Sequence, residues 1–307
     1  MAHKQTIPSL NDGSLAPAYL RKDMNVGTIA ALPRGSIGWR ATYAEQLDML
    51  KKDEHVAAQN WGGWEPILAA GLRASSMANV LDPKQLDHIA REHKAAGCDY
   101  TNLHLGSNFD SDAEMDQLAA AVLEASVKHA YPLLIETHRA TMTQDMRRTL
   151  DLIERFPDLR FTADLSHWYA GHELSYGGRF EQIMQRLAPV FERVRAMHGR
   201  IASAGAIQIP IDYPGPALQH FCTMWETCFL GFLRSANAGD FFSFNAELLP
   251  MCLNESYGKS YIYYAQNRQT TGDDPLEGEP TDRYAEAQKL WHIAEELFTK
   301  AQQQTQV

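Results

Sequence analysis

The chain has 307 residues, of which 45% are hydrophobic, so it is long and apolar enough to build one large core. Its 38 acidic residues outnumber the 28 Lys and Arg, and the net charge of -10 repels a phosphate backbone, which disfavours nucleic acid as a partner. No apolar run approaches the ~20 residues that a membrane span requires, so we expect no membrane partner either.

The beginning of the chain shows no basic segment followed by an apolar stretch, and the four cysteines have no C-x-x-C spacing. Both features favour a cytoplasmic protein with reduced thiols. Residues 1–23 are polar and contain Pro8, the turn sequence Asn11-Asp12-Gly13 and Pro17. This composition predicts an N-terminal extension beside the folded domain.

Apolar runs and helical patterns alternate through the rest of the chain. The runs predict eight strands, at 24–29, 54–59, 71–77, 100–105, 133–136, 159–164, 194–198 and 241–247. Helices are predicted at 42–52, 83–96, 112–129, 141–156, 180–188, 217–235 and 284–300. Strands that are followed by helices pair in parallel, and one α/β barrel takes about 250 residues. The simplest fold is therefore a single (β/α)8 TIM barrel at 24–307, with a C-terminal helical extension at 254–307.

Two of these helices carry clear signals. For the helix at 83–96, Asp82 is the expected N-cap, Pro83 lies in the first turn and Gly97 stands just past the end. The helix at 112–129 has an amphipathic pattern that predicts a buried face. That face consists of Met115, Leu118, Val122 and Ala125.

Polar side chains stand at the ends of the last four predicted strands, as Glu136, Asp164, His198 and Glu247. The C-terminal ends of barrel strands meet at one rim, where ligands bind. Three carboxylates and an imidazole suit a divalent ion such as Mn²⁺, Mg²⁺, Co²⁺ or Zn²⁺. Each residue also has a structural explanation: Glu136 as a salt-bridged carboxylate, Asp164 as an N-cap, and His198 as a hydrogen-bonded core histidine.

On these four residues the chain resembles the xylose isomerase-like TIM barrels, which include sugar and sugar-phosphate isomerases and epimerases. Those barrels carry Glu, Asp, His and Glu at the ends of strands five to eight, in that order. The resemblance implies one divalent ion, expected to be Mn²⁺, and a sugar isomerase or epimerase that removes a proton beside a carbonyl through a metal-stabilised enediolate. It also implies that Glu136 and Glu247 act as the acid and base as well as ligands.

The same resemblance implies that His167 and Arg200 hold substrate oxygens. Arg200 stands two residues beyond His198, closer than in many sugar epimerases of the family. Three more side chains at predicted strand ends are expected to bind substrate, the aromatic ones by stacking on sugar C–H faces, with packing against rim loops as the alternative. They are His104, Trp61 and Trp168.

His138 lies two residues past Glu136 and faces the same side if the strand continues. It is either a loop residue with its ring in water or a catalytic base that is not a metal ligand. Some members of the superfamily are lyases that deglycosylate 3-keto-glycosides, including C-glycosides, by abstracting a proton beside the keto group. A metal-dependent lyase with His138 as its base is therefore the alternative to the isomerase.

Two further classes have less support. An apurinic-endonuclease-like hydrolase needs a larger histidine cluster than His198 with His104 and His167, and the acidic charge opposes DNA binding. A non-catalytic sugar-binding barrel would be free to lose carboxylates that repel one another without metal. We expect a small carbohydrate substrate and a homo-oligomer, with a hetero-complex containing a small partner subunit as the alternative. The segment 254–282 is expected to cover the site or form an oligomer contact.

Overall fold

Eight parallel strands close into a barrel in the computed structural model, which describes residues 6–176, 178–255, 258–261, 279 and 281–305. The strands are β1 (Tyr19–Asn25), β2 (Ala57–Asn60), β3 (Arg73–Val80), β4 (Cys98–Leu105), β5 (Leu133–Glu136), β6 (Phe161–Ala163), β7 (Val194–Gly199) and β8 (Phe241–Ala246). Each strand pairs with its neighbour in sequence, and β1 pairs with β8 to close the sheet. The predicted (β/α)8 fold is therefore confirmed.

Helices surround this barrel. They are α1 (Val26–Ile29), α2 (Tyr43–Lys52), α3 (Glu65–Ala69), α4 (Gln85–Ala95), α5 (Asp112–His129), α6 (Met146–Arg155), α7 (Leu165–Gly171), α8 (Phe180–Phe191), α9 (Ala217–Leu233) and α10 (Arg283–Thr305). A short antiparallel pair, β9 (Cys252–Glu255) and β10 (Gly258–Tyr261), follows the barrel. Apart from this backbone, Glu279, Thr281 and Asp282, the segment 254–282, predicted as a cover or oligomer contact, lies outside the described residues. Among the described helices, not one has both the length and the apolarity to cross a bilayer.

The helix α5 has the predicted bounds because its ends are specified locally. Ser111 accepts a hydrogen bond from the backbone N–H of Glu114, whose side chain bonds back to the Ser111 backbone in a capping box. Ala130 ends the helix in the left-handed region, at φ 44°. The predicted apolar face is buried against the barrel, which confirms the pattern. It consists of Met115, Leu118, Val122 and Ala125.

The first strand was placed wrongly by the sequence pattern. β1 spans Tyr19–Asn25, whereas 26–29, predicted as its second half, forms the short helix α1. The strand begins inside the segment assigned to the extension. It contains Arg21 and Asp23, which are buried as an ion pair with 2.8 Å between Nη2 and Oδ2. Charged residues that face inward hide the apolar alternation by which a strand is usually recognised.

Other boundaries also differ from the prediction. β2 begins three residues and β3 two residues later than expected, and at β2 Glu54 still turns the chain in the left-handed region, at φ 61°. α4 begins at Gln85, and Asp82 accepts from the backbone N–H of Lys84 in the preceding turn instead of capping the helix. α6 begins at Met146, with Asp145 as its N-cap.

A threonine-rich loop occupies the residues predicted as the first turn of α6. The Thr143 hydroxyl donates to the carbonyl oxygen of Glu136, at 2.6 Å, and accepts from the backbone N–H of His138, at 3.0 Å. The Thr141 hydroxyl donates to the His138 carbonyl, at 3.0 Å. These side-chain bonds replace helical ones and hold the loop directly after β5 in a fixed shape.

Candidate metal centre

The four predicted ligands meet at the C-terminal rim of the barrel. Glu136 ends β5, Asp164 follows β6 directly, His198 lies in β7 and Glu247 follows β8 directly, and all four are buried. The Nδ1 atom of His198 lies 3.3 Å from Oε2 of Glu247, 3.7 Å from Oε2 of Glu136 and 3.7 Å from Oδ2 of Asp164. One imidazole nitrogen thus faces one oxygen from each of three carboxylates.

These separations suit a shared ion. Two ligand atoms that each lie about 2.1 Å from one ion are about 3.0–3.4 Å apart in octahedral or tetrahedral geometry. The observed 3.3 and 3.7 Å need only small adjustments of side chains to reach that range. The structure therefore brings the predicted ligand set together, and the binding of a metal by these residues stays a prediction.

The imidazole of His198 has one nitrogen satisfied and one not. Its Nε2 lies 2.9 Å from the Gln59 side-chain oxygen, whereas the buried Nδ1 has no hydrogen-bond partner among the described residues. Burial lowers the pKa of His198, but the charges of Glu247 and Glu136 outweigh this effect and hold its pKa well above the usual value. The site therefore favours positive charge at the Nδ1 position, which a proton or a metal ion supplies.

The charge of the site fits a divalent ion. Burial raises the pKa of Asp164, but Arg200 and His167 outweigh it, so that pKa lies well below the usual value. Burial likewise raises the pKa of Glu136, but His104 and other nearby imidazoles outweigh this effect, so the pKa of Glu136 also lies below its usual value. Arg200 donates to Oδ2 of Asp164 and lies 3.4 Å from Oε2 of Glu247. Once His198 exchanges its Nδ1 proton for an ion, three carboxylates and one guanidinium contribute a formal charge of minus two that a divalent ion balances.

Three histidines form a column beside the ligands. The ring centroids of His104 and His138 are 4.4 Å apart, and those of His138 and His167 are 3.8 Å apart. His104 Nε2 lies 2.9 Å from Oε2 of Glu136, and His167 Nε2 lies 3.5 Å from Oδ2 of Asp164. The structure thus places the predicted substrate residues His104 and His167 next to the ligands. It also places the ring of His138 between two imidazoles, so the prediction of a ring in open water is wrong.

The hydrogen bonding of His138 selects one tautomer. The backbone N–H of Ala140 donates to Nδ1 of His138, at 3.1 Å. Burial lowers the pKa of His138, and nearby His104 adds to this effect against the opposing charge of Glu136, so the ring is neutral at pH 7. A neutral ring that accepts at Nδ1 carries its proton on Nε2. The nitrogen left for an outside partner is therefore a donor.

The two predicted aromatic contacts have different outcomes. Trp61 is 48% exposed and meets His104 at nearly a right angle, with ring centroids 5.2 Å apart, so about half of its surface is open at the rim. Trp168 is only 1% exposed, and its indole N–H donates to the Thr143 carbonyl, at 2.8 Å. Its prediction as a sugar-stacking residue is wrong, because its ring is enclosed by the loop after β5.

Sequence reasoning missed the amides that hold the ligands. Asn102 donates to Oε2 of Glu136, Asn25 donates to Oε1 of Glu247 at 3.1 Å, and Gln59 contacts His198. All three are buried polar residues in β1, β2 and β4. The position of Gln59 near the end of a predicted strand was a usable signal, since strand ends point to the rim.

No family model and no curated protein matches the sequence. Among solved structures, the chain is similar to a sugar phosphate isomerase/epimerase from Parabacteroides distasonis, at 11% identity and a TM-score of 0.52, over 95% of this chain and 99% of that one. It is also similar to a xylose isomerase-like TIM barrel protein from Mycobacterium smegmatis in complex with magnesium, at 11% identity and a TM-score of 0.51, over 92% and 98% of the two chains. The resemblance to xylose isomerase-like barrels is confirmed at the level of the fold.

Proposed function

We propose that the chain is a divalent-metal-dependent sugar isomerase or epimerase that abstracts a proton beside a carbonyl. One observation carries this proposal: a buried imidazole nitrogen, for which the described part of the chain offers no hydrogen-bond partner, faces three carboxylates, at 3.3–3.7 Å, on the rim of a sugar-isomerase-like barrel. The fold neighbours include a sugar phosphate isomerase/epimerase and a magnesium complex, which agree with this assignment. The substrate would be a small carbohydrate.

Glu136, Asp164, His198 and Glu247 would hold the ion. When bound, a divalent ion supplies a Lewis acid that polarises the carbonyl and so acidifies the neighbouring C–H. Three oxygen donors with one imidazole suit Mn²⁺ or Mg²⁺, and we propose Mn²⁺. The low pKa of Asp164 keeps its carboxylate ready to bind a cation, whereas His198, whose pKa is raised, would release its Nδ1 proton when the ion binds.

The chain's own residues divide the proton transfer between two carboxylates. Glu136 receives hydrogen bonds from Asn102 and His104 and has a lowered pKa, which makes it the poorer base. Glu247 accepts from Asn25 at one oxygen and is the better candidate to remove the substrate proton. A proton would be returned from the Glu136 side, which inverts the carbon. His104, whose Nε2 lies 2.9 Å from Oε2 of Glu136, would supply that proton, since burial lowers the pKa of His104 but the charge of Glu136 outweighs burial and raises it. Arg200 would hold a substrate oxygen next to Glu247.

The lyase alternative depends on His138 as a base. The histidine column that surrounds it is the observation that keeps this candidate in view. However, the Ala140 N–H occupies the lone pair on Nδ1, so Nε2 already carries a proton and can only donate. This favours His138 as a donor to a substrate oxygen, and it favours the carboxylate-based reaction over the histidine-based elimination.

Deuterium exchange tests the proposal. The Mn²⁺-loaded protein is incubated in D₂O with a panel of ketoses, aldoses and 3-keto-glycosides, and the recovered sugars are analysed by NMR and mass spectrometry. We expect deuterium beside the carbonyl of a ketose or its epimer, lost in Glu247→Gln and retained at a reduced rate in His138→Asn. Release of an aglycone that requires His138 would establish the lyase instead. A metal-loaded protein that exchanges no proton in any of these sugars would refute both.

A further inference from the structure

We infer that Gln59 is a positioning residue that presents His198 to the metal ion, and that Asn25 fixes the orientation of Gln59. This inference rests on the metal site of the proposed function. The two amides belong to β1 and β2, strands that contribute none of the four ligands. Asn25 and Gln59 are register partners across these strands, so the sheet itself holds them side by side at the rim.

The direction of the hydrogen bonds is set by the backbone. The N–H of Gly27 can only donate, and it donates to Oδ1 of Asn25, at 2.8 Å. The other end of that amide, Nδ2, must therefore face Gln59, whose oxygen lies 3.1 Å away, and Oε1 of Glu247, also at 3.1 Å. Since Nδ2 is a donor, the Gln59 atom that it meets must be the amide oxygen.

The same oxygen of Gln59 meets His198. Oε1 of Gln59 lies 2.9 Å from Nε2 of His198, so Nε2 must carry the proton and donate it. The remaining nitrogen, Nδ1, thereby faces the three carboxylates and is the one that can hold a second proton or, in its place, a metal ion. One backbone N–H thus determines, through two amides, which nitrogen of His198 is available to a metal.

This chain of hydrogen bonds from Asn25 through Gln59 to His198, which we call the relay, also has a cost in stability that a purely structural role does not explain. The Nε2 atom of Gln59 is buried and has no hydrogen-bond partner among the described residues. A buried donor without a partner lowers stability, so an apolar side chain would serve better if this position only filled space. A metal-binding histidine, by contrast, commonly donates its second N–H to an acceptor that fixes its ring. Gln59 provides that acceptor.

Asn25 connects two of the ligands at once. Its Nδ2 orients Gln59, and through it His198, and the same Nδ2 donates directly to Glu247. Its Oδ1 meanwhile caps α1. The two ends of this amide thus have separate partners, so a change that removes only the Nδ2 donor is expected to weaken ion binding while the cap of α1 is kept.

The test measures ion affinity, which requires no sugar. Zn²⁺ is the probe, and its affinity is determined by competition with a chromophoric chelator for the wild type, Gln59→Leu and Gln59→Glu. We expect Gln59→Leu to weaken Zn²⁺ binding about 10–100-fold and Gln59→Glu, which keeps the acceptor, to bind within about threefold of the wild type or more tightly. The control is Gln46→Leu, which removes a buried amide that donates to the Ile29 carbonyl outside the site, and we expect no change in affinity.

A spectroscopic readout accompanies the affinity. In the Zn²⁺-loaded protein labelled with ¹⁵N-histidine, we expect a slowly exchanging Nε2 proton on His198 that exchanges faster in Gln59→Leu. Asn25→Ser keeps an oxygen for the cap of α1 but removes the amide donor, so a smaller loss of affinity is expected even if Gln59→Leu fails to fold.

The outcomes separate this inference from the proposed function. If the wild type binds no Zn²⁺, Mg²⁺ or Mn²⁺, the proposed function fails, and the inference about Gln59 fails with it. If the wild type binds and both Gln59→Leu and Asn25→Ser retain its affinity, only the relay is refuted. Equal loss in Gln59→Leu and Gln59→Glu would also overturn it, because the acceptor would then be irrelevant.

Discussion

Acidification should destabilise the protein through His55, at the opposite end of β2 from the candidate site. His55 is buried, and its Nδ1 donates to the Leu50 carbonyl, at 3.2 Å. Burial, with a contribution from Lys22, lowers the pKa of His55 to about 4. The unfolded chain has a histidine pKa of about 6.5, so it binds more protons than the folded chain between these two values. Stability is therefore lost as the pH falls from 6.5 towards 4.

The magnitude follows from this difference in pKa. At pH 5 the unfolded histidine is almost fully protonated and the folded one is mostly neutral, which destabilises the fold by about 2 kcal/mol relative to pH 7. The assay is urea unfolding followed by circular dichroism at pH 7 and pH 5, with His55→Gln as the matched variant. Glutamine keeps a donor for the Leu50 carbonyl but does not titrate.

The comparison between the two proteins isolates His55 from every other titrating group. Carboxylates and histidines at the metal site lose or gain protons equally in both proteins, so their effects cancel in the difference. We expect the wild type to lose about 2 kcal/mol more than His55→Gln between pH 7 and pH 5. Equal losses would show that His55 becomes protonated in the folded state as readily as in the unfolded one, and would refute the reasoning.

Three further predictions concern the ion, the C-terminal helix and the end of β7. Mn²⁺ at 100 times its dissociation constant should raise the melting temperature by about 4 °C over chelator-treated protein, and Asp164→Asn should abolish that shift in a thermal scan. Arg283→Met removes a buried guanidinium that donates to four backbone carbonyl oxygens within 27–31. Urea unfolding should show a free energy of unfolding lower by about 3–5 kcal/mol, and a variant as stable as the wild type would contradict the importance of these hydrogen bonds. Gly199→Ala places a methyl group against the Phe244 ring, which should lower the free energy of unfolding by about 1–3 kcal/mol and weaken ion binding. Unchanged affinity in a metal titration would show that the ring can move aside.

The parts of the fold that the sequence predicts are those whose signals are local. α5 has a capping box, an apolar stripe and a turn at its end, so its bounds follow from neighbouring residues. β1 depends on a distant partner: Arg21 is tolerated inside the barrel because it meets Asp23 on its own strand and Asp99 on β4. The local sequence shows only three consecutive charged residues in a short segment, so the predicted strand begins five residues too late.

The candidate ligands could be predicted because each occupies a strand end, and the ends of parallel strands converge in any barrel. The relay through Gln59 could not, because its meaning depends on which end of an amide faces which neighbour. That orientation is set by the Gly27 backbone, which lies in another turn of the chain. A glutamine at the end of a predicted strand indicates a place at the rim, but it does not indicate which way its amide is turned.

Two histidines of the candidate site show that residue type alone does not determine which ring nitrogen donates and which accepts. His198 donates from Nε2 to an amide oxygen, which leaves Nδ1 as the nitrogen that can hold a proton or a metal ion. His138 accepts at Nδ1 from a backbone N–H, which leaves Nε2 as a donor. A ligand needs the first arrangement, and a residue that stabilises developing negative charge on a substrate oxygen needs the second. The two rings are the same in the sequence, and it is their hydrogen-bond partners, one an acceptor and one a donor, that suit them to opposite tasks.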